Sequence, residues 1–324
     1  MTKIIFKDVG QGDSIIIEWL DDNQENKIGI IDCKKNNSLN PILKHIQDTN
    51  VTHIEFIILS HPHRDHYSGL KELLVYCYDN EITIGSFLHT LNNDIEVEYW
   101  TYFEPNLTNA LELADVFDIV NKSYNVNLNE IVKLSVGYTI PLNKTDYLKC
   151  LSPSHLEITE YLKALKFIPI EHRMKRSKVA NLLSSLFKLK LGDKYILLTS
   201  DVEKISFDRV KNKNSNLFHD KINVLSQIPH HGSDTNHEPS FWSQLILNET
   251  SEAVISAGEH KLYMHPHFNV INDFSGMGYK ISSTNVINGM EEFVEIIKIK
   301  SLTLDTDSLI AEEYYLSGDK IFNL

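Results

Sequence analysis

The stretch Glu55–His66, Glu-Phe-Ile-Ile-Leu-Ser-His-Pro-His-Arg-Asp-His, decides the fold. Its first half is apolar without alternation, which predicts a strand over Glu55–Ser60 covered on both faces. Its second half places four metal-ligating residue types in six positions. In an extended segment His61 and His63 project to the same side and can share one cation. Asp65 and His66 fall where the chain turns into the next helix, so they can face a second. A lone histidine at a strand end is ordinarily a satisfied surface or core residue. Three histidines and an aspartate beside one strand end point instead to a metal site, and imidazole with carboxylate suits Zn²⁺, Mn²⁺ or Fe²⁺.

Working outward, the same arrangement repeats. Ile4–Phe6 leads into the turn Asp8-Val9-Gly10-Gln11-Gly12-Asp13, followed by apolar runs over Ser14–Trp19 and Lys27–Ile31 that end in Asp32. Asn40-Pro41 has the form of a helix N-cap with proline at the first helical position, and Leu70–Tyr76 has helical spacing. Tyr147–Leu151 reads as a strand ending at Ser152-Pro153-Ser154-His155. Leu182–Leu191 and Tyr195–Thr199, joined by Gly192-Asp193, read as a hairpin that ends at Asp201. Ile222–Ile228 reads as a strand ending at Pro229-His230-His231-Gly232, Pro239–Leu247 as a helix, Ala253–Ser256 as a strand, and the tail from Glu291 as alternating strands.

Strands and helices interleave with no Pro/Gly/Ser linker. This predicts one layered domain over 1–324, with a helical insertion at 92–130, a basic insertion at 156–178 and a C-terminal β extension at 291–324. Asp32, the His61–His66 cluster, His155, Asp201 and His230-His231 all follow strand ends, where sites of layered α/β proteins form. Asp201 is placed to bridge two cations through its two oxygens, and His230 to complete the second site. Cations about 3.5–4 Å apart can hold a bridging hydroxide and clamp a phosphoryl group.

The chain has 324 residues with 15 His, 3 Cys and a net charge of −13. Cys33, Cys77 and Cys150 are scattered and form no CxxC pair, so a disulfide framework is not expected and a reducing compartment is. No apolar run reaches the roughly 18–20 residues that span a bilayer, and the N-terminus lacks a secretory pattern. The expectation is a cytoplasmic protein with no membrane partner. The acidic balance argues against a general nucleic-acid coat, whose affinity comes from cations on phosphates. The basic cluster Lys163, Lys166, His172, Arg173, Lys175, Arg176 and Lys178 is the exception, with Arg173, Lys175 and Arg176 expected to guide phosphate at the site mouth. Tyr99, Trp100, Tyr102 and Phe103 form an aromatic knot suited to core packing, a partner surface or base stacking.

These residues resemble the metallo-β-lactamase fold. His61–His66 matches its HxHxDH motif at every ligand position, Asp32 matches an early supporting Asp, and Asp201 matches the bridging Asp, with Ser200 where the family usually has Gly. Asp8–Ser14, Ile228–Ser233, Ser256-Ala257-Gly258 and His265-Pro266 further resemble the metallo-β-lactamase-like domain of the competence protein ComEC, over residues 1–300. The resemblance implies a four-layer αββα sandwich and two divalent ions, Zn²⁺ or Mn²⁺. Their ligands would be His61, His63, Asp65, His66, Asp201 and His230, with His155 in the place of the family's remaining histidine. ComEC-type domains often carry an Asn-Asn-x-Ser string there instead, which Ala180–Ser184 partly echoes.

Asp65 is further implied in catalysis. Asp13 and Asp32 would support the ions from behind, His231 would contact phosphate, and His265 would donate a proton to the leaving oxygen. The implied activity is phosphodiester hydrolysis, with a nuclease as the leading expectation. A small-molecule hydrolase (of cyclic nucleotides, phosphocholine esters or lactones) suits the −13 charge better. A catalytic subunit docking a partner protein through 92–130 or the C-terminal strands is a third reading.

Overall fold

A computed structural model describes the chain apart from residues 92–99, 101, 102, 105, 170, 214–217, 219, 220, 261 and 305–315, and the side chains of residues 173 and 300–304. Two seven-stranded sheets form its centre. In the first, β1 (Thr2–Phe6), β2 (Ile15–Leu20) and β3 (Asn26–Ile31) make an antiparallel meander. Then β4 (His53–Leu59), β5 (Thr83–His89) and β6 (Leu128–Lys133) continue in parallel. The second sheet repeats this plan. Its antiparallel part is β7 (Thr139–Pro141), β8 (Tyr147–Ser152), β9 (Leu186–Leu191) and β10 (Lys194–Leu198). Its parallel part is β11 (Ile222–Gln227), β12 (Glu252–Ile255) and β13 (Lys280–Ser283). The last strand, β14 (Lys320–Asn323), returns to pair with β1.

Helices cover both outer faces. On the first sheet lie α1 (Pro41–Asp48), α3 (Leu70–Asp79) and α4 (Leu107–Ser123), with the short α2 (Arg64–Tyr67) inside the ligand motif. The helices α5 (His155–Phe167) and α6 (Arg173–Val179) follow β8. The second sheet carries α7 (Lys204–Lys213), α8 (Pro239–Trp242), α9 (Phe268–Gly276) and α10 (Gly289–Leu304).

The side chains sort by strand alternation into three cores. Ile15 and Ile17 of β2 and Phe56 and Ile58 of β4 meet Phe187, Leu189, Ile196 and Leu225 between the sheets. Their neighbours Ile16, Ile57 and Leu59 face outward onto Ile42, Leu73 and Leu113 of the helices. On the far side Tyr195 and Leu197 pack with Phe207, Trp242 and Phe274. The unbroken apolar run of β4 is thus buried on both faces. The layers are αββα, the metallo-β-lactamase fold.

Several elements differ from the sequence reading. The segment 92–130 is in part frame rather than insertion: α4 is the crossover that returns the chain to β6, parallel to β5, and buries Leu113, Val116 and Val120. Trp100 and Phe103 are buried in that core, while Tyr99 and Tyr102 lie outside the described residues. The start of the tail lies in α10, where Met290, Phe293 and Val294 recur at helical spacing and are buried; among the described residues of the tail, β14 is the extended part. The segment Leu182–Ser185 belongs to a 3-10 turn and loop before β9, and α8 stops at Trp242. The buried strand β5 escaped the sequence reading, since Gly85 and Ser86 interrupt its apolar run. Asn40 does cap α1, accepting from the Leu43 amide at 3.1 Å. Among the described residues no helix is long and apolar enough to cross a membrane.

Candidate metal centre

The ligand-type side chains gather at one edge, past the C-terminal ends of parallel strands β3, β4, β11 and β12 and of β10, which begins the parallel part of its sheet. The chain leaves these strands abruptly. Asp32, Ser200, His230 and His231 all have positive φ, between 47° and 60°. Non-glycine residues rarely adopt this left-handed conformation, and it concentrates at functional sites.

Among the described residues, four overlapping groups of side chains converge there: His61, His63 and Asp201; Asp65, His66 and His231; and two that include Asp13, with Asp32 and His66 and with Asp201 and His231. Asp201 joins the first two. Its Oδ2 lies 3.6 Å from His61 Nε2 and 3.4 Å from His230 Nε2, and its Oδ1 lies 3.7 Å from His66 Nε2 and 3.6 Å from His231 Nε2. Asp65 Oδ2 is 3.7 Å from His231 Nε2.

Each histidine is fixed by a hydrogen bond on its far nitrogen. His66 Nδ1 donates to Asp32 Oδ2 at 2.7 Å. His231 Nδ1 donates to the Ser256 carbonyl at 3.0 Å, and His63 Nε2 to the Ser177 carbonyl of α6 at 2.8 Å. His230 Nδ1 donates to Asn236 Oδ1 at 2.9 Å; the Asn236 amide is oriented by its own donation to the Val202 carbonyl at 3.0 Å. Such outer bonds set which nitrogen is bare. The bare nitrogens therefore face one another and the carboxylates: His61 Nε2 and His63 Nδ1 are 3.1 Å apart.

The fit to metal shows in the atoms left over. His66 Nε2, His231 Nε2, Asp201 Oδ1 and Asp13 Oδ1 are buried without a hydrogen-bond partner, which is rare unless something else satisfies them. Clustered bare imidazole nitrogens and carboxylate oxygens are what divalent cations neutralise. Without a cation, protons fill that role. Burial opposes the charged form of His66, yet Asp32 and Asp201 hold its pKa well above 6.5. Burial likewise opposes charging His231, but Asp201 and Asp65 raise it. Burial works against ionised Asp201, but His230, His231 and His66 pull it well below 3.8.

The structure brings together most of the expected residues and rearranges others. His231, not His230, joins Asp65 and His66. With both residues in the left-handed region after Pro229, strand alternation no longer says which one points inward. His230 instead faces the open cleft and Asp201 Oδ2. His155 is not brought to the cluster. It is exposed in the first turn of α5, where Ser154 and Glu157 form a capping box, and its ring nitrogen lies 3.4 Å from Thr159 Oγ1. The S-x-x-E signature of that helix start was readable in the sequence.

Asp32 and Asp13 both lie beside His66. Asp13 Oδ2 accepts from Gln227 Nε2 at 2.8 Å and lies 3.7 Å from His66 Nδ1. The turn Asp8–Asp13 reaches the site because Gly12 and Gly258 leave no room for a Cβ. At Gly258 one would sit 1.8 Å from the Gln11 nitrogen, and at Gly12 2.3 Å from the Asp65 carbonyl. Lys34 clamps the same turn by donating to the Val9 carbonyl at 2.7 Å and to the Gln11 carbonyl. Gln227 also accepts from the Thr199 and Ser200 amides at 2.9 and 3.1 Å, tying the Asp201 turn to Asp13. Lys34, Gln227, Asn236 and the Ser60–Ser200 pair carry no sequence motif of their own. Ser200 alone stood out, as the departure from the usual Gly.

A cleft of about 790 Å³ opens over the cluster, lined by His63, Asp65, Asp201, His230 and His265 together with Lys34, Arg64 and Lys178. Of the basic segment, Met174, Ser177 and Lys178 of α6 reach this wall. Arg176 turns away and donates to the Leu165 and Ile168 carbonyls at the end of α5, so it fastens the helix pair. Lys175 is exposed, and the Arg173 side chain lies outside the described residues. His265 lines the cleft, but burial and the neighbouring His230 push it down to about 3.

Fold and site together define the class: a protein of metallo-β-lactamase fold with a buried His/Asp cluster of metal-binding type. No family model and no curated protein matches the chain. Among solved structures it is similar to the metallo-β-lactamase fold protein YhfI from Bacillus subtilis, at 9% identity over 87% of this chain and 95% of that one, with a TM-score of 0.47. It is similar to a diphosphatase of the PhnP family, at 10% identity over 79% and 87% of the two chains and a TM-score of 0.40. A long-form RNase Z from yeast aligns at 11% identity over 97% of this chain and 44% of its own, with a TM-score of 0.41.

Proposed function

We propose that the chain is a metal-dependent hydrolase of phosphodiester bonds, acting as a nuclease, with two divalent cations, Zn²⁺ or Mn²⁺. The observation that supports it is the pair of ligand groups sharing Asp201 beneath an open cleft. His61, His63 and Asp201 would hold one cation; Asp65, His66, His231 and Asp201 the other. When bound, two such cations would supply positive charge for a phosphoryl group and lower the pKa of water toward neutrality. The chain's own part is positional. Asp32, Ser177, Ser256 and Asn236 aim the imidazoles, and Asp13 with Gln227 holds the turn beneath them. Lys34, Arg64 and Lys178 add local positive charge to the cleft wall for an anionic substrate. His230 and His265 face the cleft where a phosphate would lie.

The resemblance of Asp8–Ser14 and Ile228–Ser233 to the ComEC domain supports DNA as substrate. A second reading, a small phosphodiester such as a cyclic nucleotide or a phosphocholine ester, is favoured by the cleft. Its volume is that of small-molecule sites, and Glu104, Glu203, Asp234 and Glu259 line it, in a chain of charge −13. The test is a panel of single-stranded DNA, RNA, cyclic nucleotides and chromogenic diesters with Zn²⁺ or Mn²⁺, beside elemental analysis of bound metal. Turnover of the polymers supports the nuclease, turnover of small diesters alone supports the second reading, and no turnover with metal bound sinks both.

A further inference from the structure

Asp32 is a buried carboxylate with an unusual number of callers. Its Oδ1 accepts from the Ser60 amide at 2.8 Å, and its Oδ2 accepts from His66 Nδ1 at 2.7 Å and from the Ser60 hydroxyl at 2.6 Å. The donations can be followed outward. Ser60 Oγ has one proton and directs it to Asp32, so toward Ser200 Oγ, 2.8 Å away, it can only accept. Ser200 Oγ therefore donates to Ser60, and toward His61 Nδ1, 3.1 Å away, it too can only accept; Ser60 Oγ, 3.3 Å from the same nitrogen, is the longer of its two hydroxyl contacts and likewise can only accept. His61 must carry its proton on Nδ1. Its bare nitrogen is then Nε2, the atom facing Asp201 Oδ2 at 3.6 Å and His63 Nδ1 at 3.1 Å.

We propose that Ser60 and Ser200 form a hydroxyl relay through which Asp32 orients His61 as well as His66, making Ser200 a positioning residue for the His61/His63/Asp201 group. The inference rests on reading that group as a metal site. It gives a reason for serine at a position with φ of 47°, where glycine would be free of strain. The Ser60, Ser200 and His61 side chains are all buried, so water does not substitute for a missing link. One carboxylate thereby sets the tautomers of a histidine in each group, directly on one side and through two hydroxyls on the other.

The test compares the full-length wild type with Ser200→Gly, which suits the backbone, and with Ser60→Ala, which cuts the next link. Zinc affinity is measured by chelator competition, and the His61 tautomer by ¹⁵N imidazole NMR of the metal-free protein. In Ser200→Gly one zinc equivalent should keep wild-type affinity while the other weakens by about 10–100-fold. The His61 Nδ1–H signal should give way to a mixture of tautomers. Ser60→Ala should show the same tautomer loss, and Ser200→Ala serves in place of Ser200→Gly if that variant does not fold. Two zinc equivalents at wild-type affinity in Ser200→Gly, or an unchanged His61 tautomer, overturn the relay alone. A wild type that binds no zinc overturns both the relay and the metal reading beneath it.

Discussion

The two halves of the cluster do the same job with different supports. Asp65, His66 and His231 are held from within the sheet edges: His66 by Asp32, and His231 by the carbonyl that follows β12. His61 and His63 depend on more distant elements. His61 hangs on the Ser60–Ser200 pair, and His63 on the Ser177 carbonyl of α6, a helix that follows β8 and α5 in the chain. The first half is therefore built into the frame. The second couples the site to the basic helix that also walls the cleft, so whatever moves α6 also moves His63.

The largest effect should come from removing what the halves share. Asp201→Ala should lower phosphodiester turnover by more than about a thousandfold, with loss of bound metal by elemental analysis. Next comes the choice within the adjacent pair. His231→Ala should lose one metal equivalent and about a hundredfold in turnover, whereas His230→Ala should keep both metals and show its defect mainly in KM. The opposite result would return His230 to the ligand set. Asp32→Asn disturbs His66 directly and His61 through the relay, so it should weaken both sites by about 10–100-fold, read by chelator competition.

A pH series distinguishes the protons from the metals. In the metal-free protein the folded-state pKa values of His66 and His231 are raised. Their contribution to stability is therefore complete below the unfolded value of about 6.5 and is lost as pH rises through the raised folded values. Melting of chelated protein should fall from pH 6.5 upward. Metal-loaded protein should not show this fall, because the metal displaces those protons; its metal affinity should instead weaken on acidification. The smallest effect is expected at His155. Replacing it with Ala should leave metal content unchanged and turnover within about twofold, as for an exposed residue outside special contacts.

Much of this site is legible in short windows of sequence. The Glu55–Ser60 run, the four ligand types at 61–66 and the aspartates at 32 and 201 all depend on local pattern: strand period, strand end, residue type. Where local pattern ends, the reading fails. The sequence Pro229-His230-His231 does not say which imidazole turns inward, because two left-handed residues replace strand alternation. Ser-Pro-Ser-His at 152–155 looks like a ligand at a strand end, but Ser154 and Glu157 commit it to a helix start.

The sequence by itself determined a layered domain of interleaved strands and helices, the motifs whose resemblance implies the sandwich, and most of the residues that gather at the site's edge, since hydrophobic period and residue chemistry are local properties. Only the tertiary structure decided which nitrogen of each histidine is bare, that α6 supports His63, and that Ser60, Ser200, Gln227 and Asn236 belong to the site. Those facts are hydrogen bonds between residues up to 214 positions apart, and no window of sequence contains both ends of such a bond.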